Sequence, residues 1–190
     1  MHKLTFRYGT MNSSKTAQLL MVAHNYISQN KKVYLIKPLI DTRFSKNDIV
    51  SRAVGKRKAD MLMGASCSSL DLIRGKKFSA VLVDEAQFLT ENNVNALRQL
   101  TDEYPVICYG LRGDYTGTLF EGSKRLMEIS DSIEEIKTVC VNCDKKAIIN
   151  AKFKIVNKKL VLIKNGDKKI DLGAEEKYQP MCWKCWNGTE

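Results

Sequence analysis

The sequence predicts an α/β protein: a mostly parallel sheet with flanking helices, followed by a small β-rich appendage. Three observations carry this expectation. A β-prone run, Leu4 to Tyr8, turns at Gly9 into a segment patterned as a helix, Ala17 to Gln29. A second apolar run, Ser79 to Val83, ends abruptly in Asp84-Glu85. Near the C-terminal end, Cys140-x-x-Cys143 and Cys182-x-x-Cys185 repeat one spacing.

The turn between the first strand and helix reads Gly9-Thr10-Met11-Asn12-Ser13-Ser14-Lys15-Thr16. This is the pattern of a phosphate-binding loop, G-x-x-x-x-G-K-[ST], with Ser14 in place of the second glycine. Unpaired N–H groups at a helix N-terminus and the helix dipole favour phosphate there. Lys15 is placed to reach the β- and γ-phosphates of a nucleotide, and the Thr16 hydroxyl to reach Mg²⁺. An apolar strand ending in an acid is the partner of such a loop, and Asp84-Glu85 fills that role. Both features lie at the carboxyl ends of strands, where open α/β sheets bind ligands.

The remaining elements follow in order. Apolar residues at 17, 20, 23 and 27 give the first helix one face at helical spacing. Lys32 to Lys37 reads as a strand stopped by Pro38, and the polar, irregular residues 41–63 as either a mobile connector or a loop gathering positive charge near phosphates. Leu70 to Arg74 suits a short helix. Thr90 caps a helix expected to run to Glu103, and Val106 to Tyr109 forms the next strand. A helix over Gly122 to Ile129 and a strand over Ile133 to Val139 complete the first part. Beyond residue 138 come short alternating runs, Ala147 to Val156 and Lys159 to Ile163, with turns at Asn157-Lys158 and Asn165-Gly166. The expected division is therefore a nucleotide-binding part, 1–137, and an appendage, 138–190.

Composition narrows the class. The 190 residues can bury a real core, and no apolar run is long enough to span a bilayer. The chain opens directly on a strand without a leader pattern, so a cytosolic protein is expected. A net charge of +10 invites nucleic-acid partners, but the excess is spread along the chain. Residues 137–190 carry twelve Lys against six acids and no Arg, which suits a solvated surface better than base reading. Two matched Cys-x-x-Cys pairs predict a four-thiolate zinc site; Cys67 and Cys108 stand alone, and Cys108 reads as a small buried hydrophobe.

Six landmarks in order give the chain a family likeness: Gly9–Thr16, Asp41-Thr42-Arg43, Asp84-Glu85-Ala86-Gln87-Phe88, Gly110-Leu111-Arg112-Gly113-Asp114-Tyr115, the four paired cysteines, and Gly173 through Tyr178. Together they resemble the thymidine kinases shared by animal cytosol and many bacteria. The resemblance implies a P-loop fold plus a zinc-binding unit carrying a lasso loop. It implies ATP-dependent phosphorylation of the 5′-hydroxyl of thymidine or deoxyuridine, with Glu85 as catalytic base. ATP and Mg²⁺ would be held by Gly9–Thr16, Asp41, Thr42, Arg43, Asp84, Glu85, Ala86 and Gln87. Met11, Phe88, Leu111, Tyr115 and Phe120 would surround the base, Tyr178 would pack over the nucleoside, and Lys169, Ile170, Asp171, Leu172 and Gly173 would read its edge. A homotetramer inhibited by thymidine triphosphate, with no need of nucleic acid or membrane, is also implied. Besides Ser14, Arg112 stands where part of the family has an acid, and Tyr115 where many members have Phe.

Two other classes compete for the same motifs. A nucleic-acid-stimulated ATPase would combine the phosphate loop, the zinc unit and the positive charge. A regulatory GTPase requires Asn-Lys-x-Asp, and both Asn-Lys pairs, Asn30-Lys31 and Asn157-Lys158, lack the aspartate.

Overall fold

The computed structural model describes residues 1–42, 45–66, 68–157, 159–165 and 178–188. Six parallel strands form the main sheet: β1 (Leu4–Tyr8), β2 (Val33–Pro38), β5 (Met61–Met63), β6 (Ala80–Val83), β7 (Val106–Gly110) and β8 (Ser132–Glu135), in spatial order β5-β2-β6-β7-β1-β8. A two-stranded ribbon, β3 (Asp48–Ser51) with β4 (Gly55–Lys58), stands apart. An antiparallel sheet orders β10 (Lys159–Ile163), β9 (Ile149–Val156) and β11 (Tyr178–Met181). The helices are α1 (Lys15–Ser28), α2 (Glu91–Leu100), α3 (Glu121–Ile129) and α4 (Trp183–Asn187), with 3-10 turns at Ser68–Ile73 and Ala86–Phe88.

Both faces of the main sheet are covered, which is why β6 reads as an unbroken apolar run. Ala80 and Leu82 join Leu19, Leu20, Ala23 and Tyr109 under α1. Val81 and Val83 point the other way, into a core with Val94, Leu97, Leu100 and Leu126 of α2 and α3. A third cluster, Ile149, Ala151, Phe153, Met181 and Trp186, packs around Cys140 and Cys182. No helix among the described residues is long and apolar enough to cross a membrane.

Three boundaries differ from the sequence expectation. The polar stretch 41–63 contains the β3–β4 ribbon and β5, because Ile49 alone on β3 is buried, in the α1 core, and the other ribbon side chains carry no apolar alternation. The strand expected to reach Val139 stops at Glu135, opposite Tyr8, where β1 itself ends. The helix expected to reach Glu103 stops at Leu100, and the Thr101 hydroxyl donates back to the Arg98 carbonyl at 2.6 Å. Strand β11 and helix α4 carried no periodicity long enough to be read. The Thr90 cap is present as a reciprocal capping box with Asn93.

Parallel register places the strand ends together. Tyr8 pairs with Gly110, and Val83 with Cys108, so the residues that follow emerge on one rim. At Gly9 a Cβ would lie 2.3 Å from Ser13 Oγ and 2.5 Å from the Ile136 carbonyl, so only glycine lets the chain turn there. At Gly122, the start of α3 approaches the Ala86–Phe88 turn so closely that a Cβ would meet the Ala86 and Leu89 carbonyls at 2.5 and 2.7 Å. Both obstacles are backbone. Gly122→Ala is therefore expected to cost about 1–3 kcal/mol in denaturant unfolding, and an unchanged midpoint would contradict this packing.

Candidate active site and metal centre

The rim formed by β1, β2, β6 and β7 carries a cleft of about 280 Å³, lined by the phosphate-loop residues, the ribbon and the acids after β6. The Lys15 ammonium lies in the curve of the loop and donates to the Thr10 carbonyl at 2.7 Å. Ser14 takes the left-handed conformation, φ 63°, that the glycine of the motif would favour. Holding a serine there costs about 1 kcal/mol, and its side chain is exposed rather than wedged into the loop. The tight turn survives the substitution because the Cβ meets open space.

The Thr16 hydroxyl lies 3.2 Å from each oxygen of Asp84. Asp84 is buried, and burial followed by the charge of Glu85 pushes its carboxyl up to about 7. A divalent cation bound between Thr16 and Asp84 would remove that penalty, so the pair fits a Mg²⁺ site chemically.

Glu85 sits in the left-handed region at φ 48°, which turns its side chain out of the strand line and into the cleft. Gln87, almost wholly buried, holds it there: its Nε2 donates to the Glu85 carboxylate, and its Oε1 accepts from the Leu111 N–H at 3.0 Å. Ala86 and Gln87 thus lie behind Glu85 and outside the cleft lining, a placement the motif alone did not distinguish from nucleotide contact.

Asp41 forms a buried ion pair with Lys37 at 3.2 Å. Lys37 also donates to the Ser45 and Asp48 carbonyls at 2.7 and 3.0 Å, so one ammonium ties β2, the Asp41 segment and the ribbon together. Lys37 was missed in the sequence reading; its signal was a charge at the end of an otherwise apolar strand. Thr42 is exposed. Arg43 and the segment Lys169 to Gly173 lie outside the described residues, as does Cys67.

The aromatic residues expected around the base, Phe88, Tyr115, Phe120 and Tyr178, are not among the residues that line the cleft. Phe88 and Phe120 meet edge to face at 6.0 Å, and Lys152, also missed, lies 5.1 Å from the Tyr115 ring and 5.8 Å from that of Tyr178. Met11 and Leu111 line the cleft itself. Arg112 points away, donating to the Ile148 carbonyl at 3.2 Å, which makes it a structural cation.

The four paired cysteines converge: their Sγ atoms all lie within 4.8 Å of one another. Cys143 Sγ is 3.7 Å from Cys182 Sγ and 3.6 Å from Cys185 Sγ. Tetrahedral thiolates at a zinc–sulfur distance of about 2.3 Å stand about 3.8 Å apart, so the set fits a closed, structural zinc. The Cys185 N–H donates to Cys182 Sγ and holds that thiol below its ordinary value, while contact with the Cys182 and Cys143 sulfurs pushes the Cys185 thiol up to about 12. The Trp183 and Trp186 rings meet at a tilt of 43°, with centroids 5.1 Å apart. Cys108 is buried in the sheet, where desolvation pushes its thiol up and leaves it inert. Protein purified without chelator is expected to carry one zinc per chain, and Cys182→Ser to carry almost none; full metal content in that variant would remove Cys182 from the set.

Comparison with known proteins agrees with this geometry. The family model described as thymidine kinase matches residues 2–186. A thymidine kinase of Streptococcus pyogenes serotype M3 is 41% identical over 194 residues, covering 100% of both chains. One from Streptococcus agalactiae serotype Ia is 39% identical over 188 residues, covering 97% of this chain and 96% of the relative. Matched by the family model over residues 2–186 and by curated relatives along its whole length, the chain belongs to the thymidine kinase family.

Proposed function

We propose that this phosphotransferase moves the γ-phosphoryl group of ATP to the 5′-hydroxyl of thymidine, with deoxyuridine as a second acceptor, in cytoplasmic nucleotide salvage for DNA synthesis. The observation that carries the reading is that Glu85, Lys15 and Thr16 line one cleft, in a chain of this family. Phosphoryl transfer has a loose transition state, so positioning and charge neutralisation do most of the work. Lys15 and the loop N–H groups hold the phosphates. Thr16 and Asp84 would hold Mg²⁺, which when bound neutralises charge on the phosphate oxygens. Glu85, held from behind by Gln87, orients the 5′-hydroxyl and accepts its proton as the bond to phosphorus forms.

Met11, Phe88, Leu111, Tyr115, Phe120 and Tyr178 enclose the base in this reading, while Arg43 and Lys169 to Gly173 take their phosphate and base-edge roles from the family resemblance. The division at 137/138 belongs to it as well, supported by separate sheets with separate cores. Zinc closes the ends of the 38 residues between Cys143 and Cys182, so the intervening loop can fold over the nucleoside. A homotetramer with feedback inhibition by thymidine triphosphate, independent of nucleic acid and membrane, completes the proposal.

The direct test is ATP-dependent phosphorylation of thymidine, deoxyuridine, deoxycytidine and deoxyadenosine, each with and without DNA. Turnover confined to the first two and indifferent to DNA is expected; hydrolysis of ATP that needs DNA and no nucleoside would replace the kinase with an ATPase. Glu85→Gln should fold and keep zinc while losing about 10²–10⁴ in kcat, and parental turnover would remove Glu85 from the chemistry. Stripping zinc should weaken thymidine binding more than ATP binding; equal loss of both would sink the role assigned to the metal.

A further inference from the structure

We propose that Asn150 is a positioning residue, a two-ended latch that sets the phosphate loop against the 110–120 loop from the cysteine-bearing side of the molecule. Asn150 lies on β9, paired in register with Pro180 of β11, and its side chain is almost fully buried. It leaves that sheet and enters the junction of the two loops. Its Oδ1 accepts from the Met11 N–H at 2.7 Å, and its Nδ2 donates to the Gly113 carbonyl at 3.0 Å. The orientation of the amide is dictated chemically, since an N–H needs the oxygen and a carbonyl needs the NH₂.

Each partner belongs to a loop that reaches the site. Met11 lies within the phosphate loop and lines the cleft. Gly113 lies between Leu111, which also lines it, and Tyr115. One rigid amide therefore fixes the spacing between the loop proposed to hold the donor and a wall of the pocket proposed to hold the acceptor. The junction is close-packed: the space enclosed there by Thr10, Arg112, Ile148 and Asn150 is about 10 Å³. Arg112, donating to Ile148 two residues earlier on the same stretch, braces the latch from the 110–120 side.

In-line transfer is sensitive to this spacing, because a shift near 1 Å between reactants costs about 10²-fold in rate. The latch acts on alignment and leaves the phosphate-binding groups of Lys15 and Thr16 untouched. Its loss should therefore appear in kcat before it appears in ATP affinity.

The inference rests on the assignment of Gly9–Thr16 as the phosphate loop, and Lys15→Ala tests that separately: normal ATP affinity in Lys15→Ala would overturn the assignment itself. For the latch, Asn150→Leu removes both hydrogen bonds at similar volume, and Asn150→Asp keeps the acceptor for Met11 but loses the donor to Gly113. The measurements are kcat with thymidine, ATP affinity by direct titration, and zinc content. Asn150→Leu is expected to lower kcat about 10- to 100-fold while ATP affinity stays within about threefold and zinc is retained, with Asn150→Asp between it and the parent. Parental kcat in both variants, equal kcat losses in both, or loss of ATP affinity in step with kcat would overturn the latch. Should Asn150→Leu not fold, Asn150→Asp decides alone: a lowered kcat at unchanged ATP affinity supports the latch, and any other result overturns it.

Discussion

The parallel register of β1, β7 and β6 is the constraint on which the site depends. Backbone ladders pair Tyr8 with Gly110 and Val83 with Cys108, and a slip of one residue would turn every side chain to the opposite face. With both faces of the sheet buried under helices, no slipped register preserves the core. The three loops that leave these strands therefore have fixed origins. The Gly9–Thr16 turn, the Asp84-Glu85 pair and Leu111 meet at one cleft because their strands cannot move relative to one another.

Placing two acids at the end of a buried strand works against stability. Asp84 titrates near 7 through burial and the neighbouring Glu85, well above an unfolded aspartate. The folded chain holds more protons than the unfolded chain between the ordinary aspartate range and about 7, so this group makes stability fall as pH rises through that window and then level off. Polar partners limit the cost. Thr16 donates to Asp84, and Gln87 donates to Glu85 while accepting from Leu111.

Two buried side chains bind the layers of the site into one unit. Lys37 gathers Asp41 and the ribbon at the end of β2, and Asn150 gathers two loops from β9. A buried charge or amide is retained at such a junction only when nearly all its hydrogen-bonding capacity is met, and that demand makes the geometry specific. Lys37 acts over separations of 8 and 11 positions to Ser45 and Asp48, whereas Asn150 reaches Met11 across 139.

Local chemistry made much of this protein legible from its residues alone. The Gly9–Thr16 turn, the apolar strand ending in Asp84-Glu85, the Thr90 cap and the two cysteine pairs each combine a short spacing with a distinct physical demand, and such demands can be read without the fold. The convergence of the four thiols was legible for the same reason, since tetrahedral coordination requires it. The β3–β4 ribbon was not, because Ile49 is its one fully buried side chain and the two strands carry no apolar alternation. Nor were the roles of Lys37, Gln87, Lys152 and Asn150 legible. Partners such as Leu111 for Gln87 and Met11 for Asn150 are brought near by packing, and a polar residue does not announce which distant backbone group it will satisfy. Sequence alone thus determined the fold class, the family and the chemical types present. Tertiary structure decided which of those groups face the cleft and which stand behind it, because burial and hydrogen-bond partners depend on strand order and register.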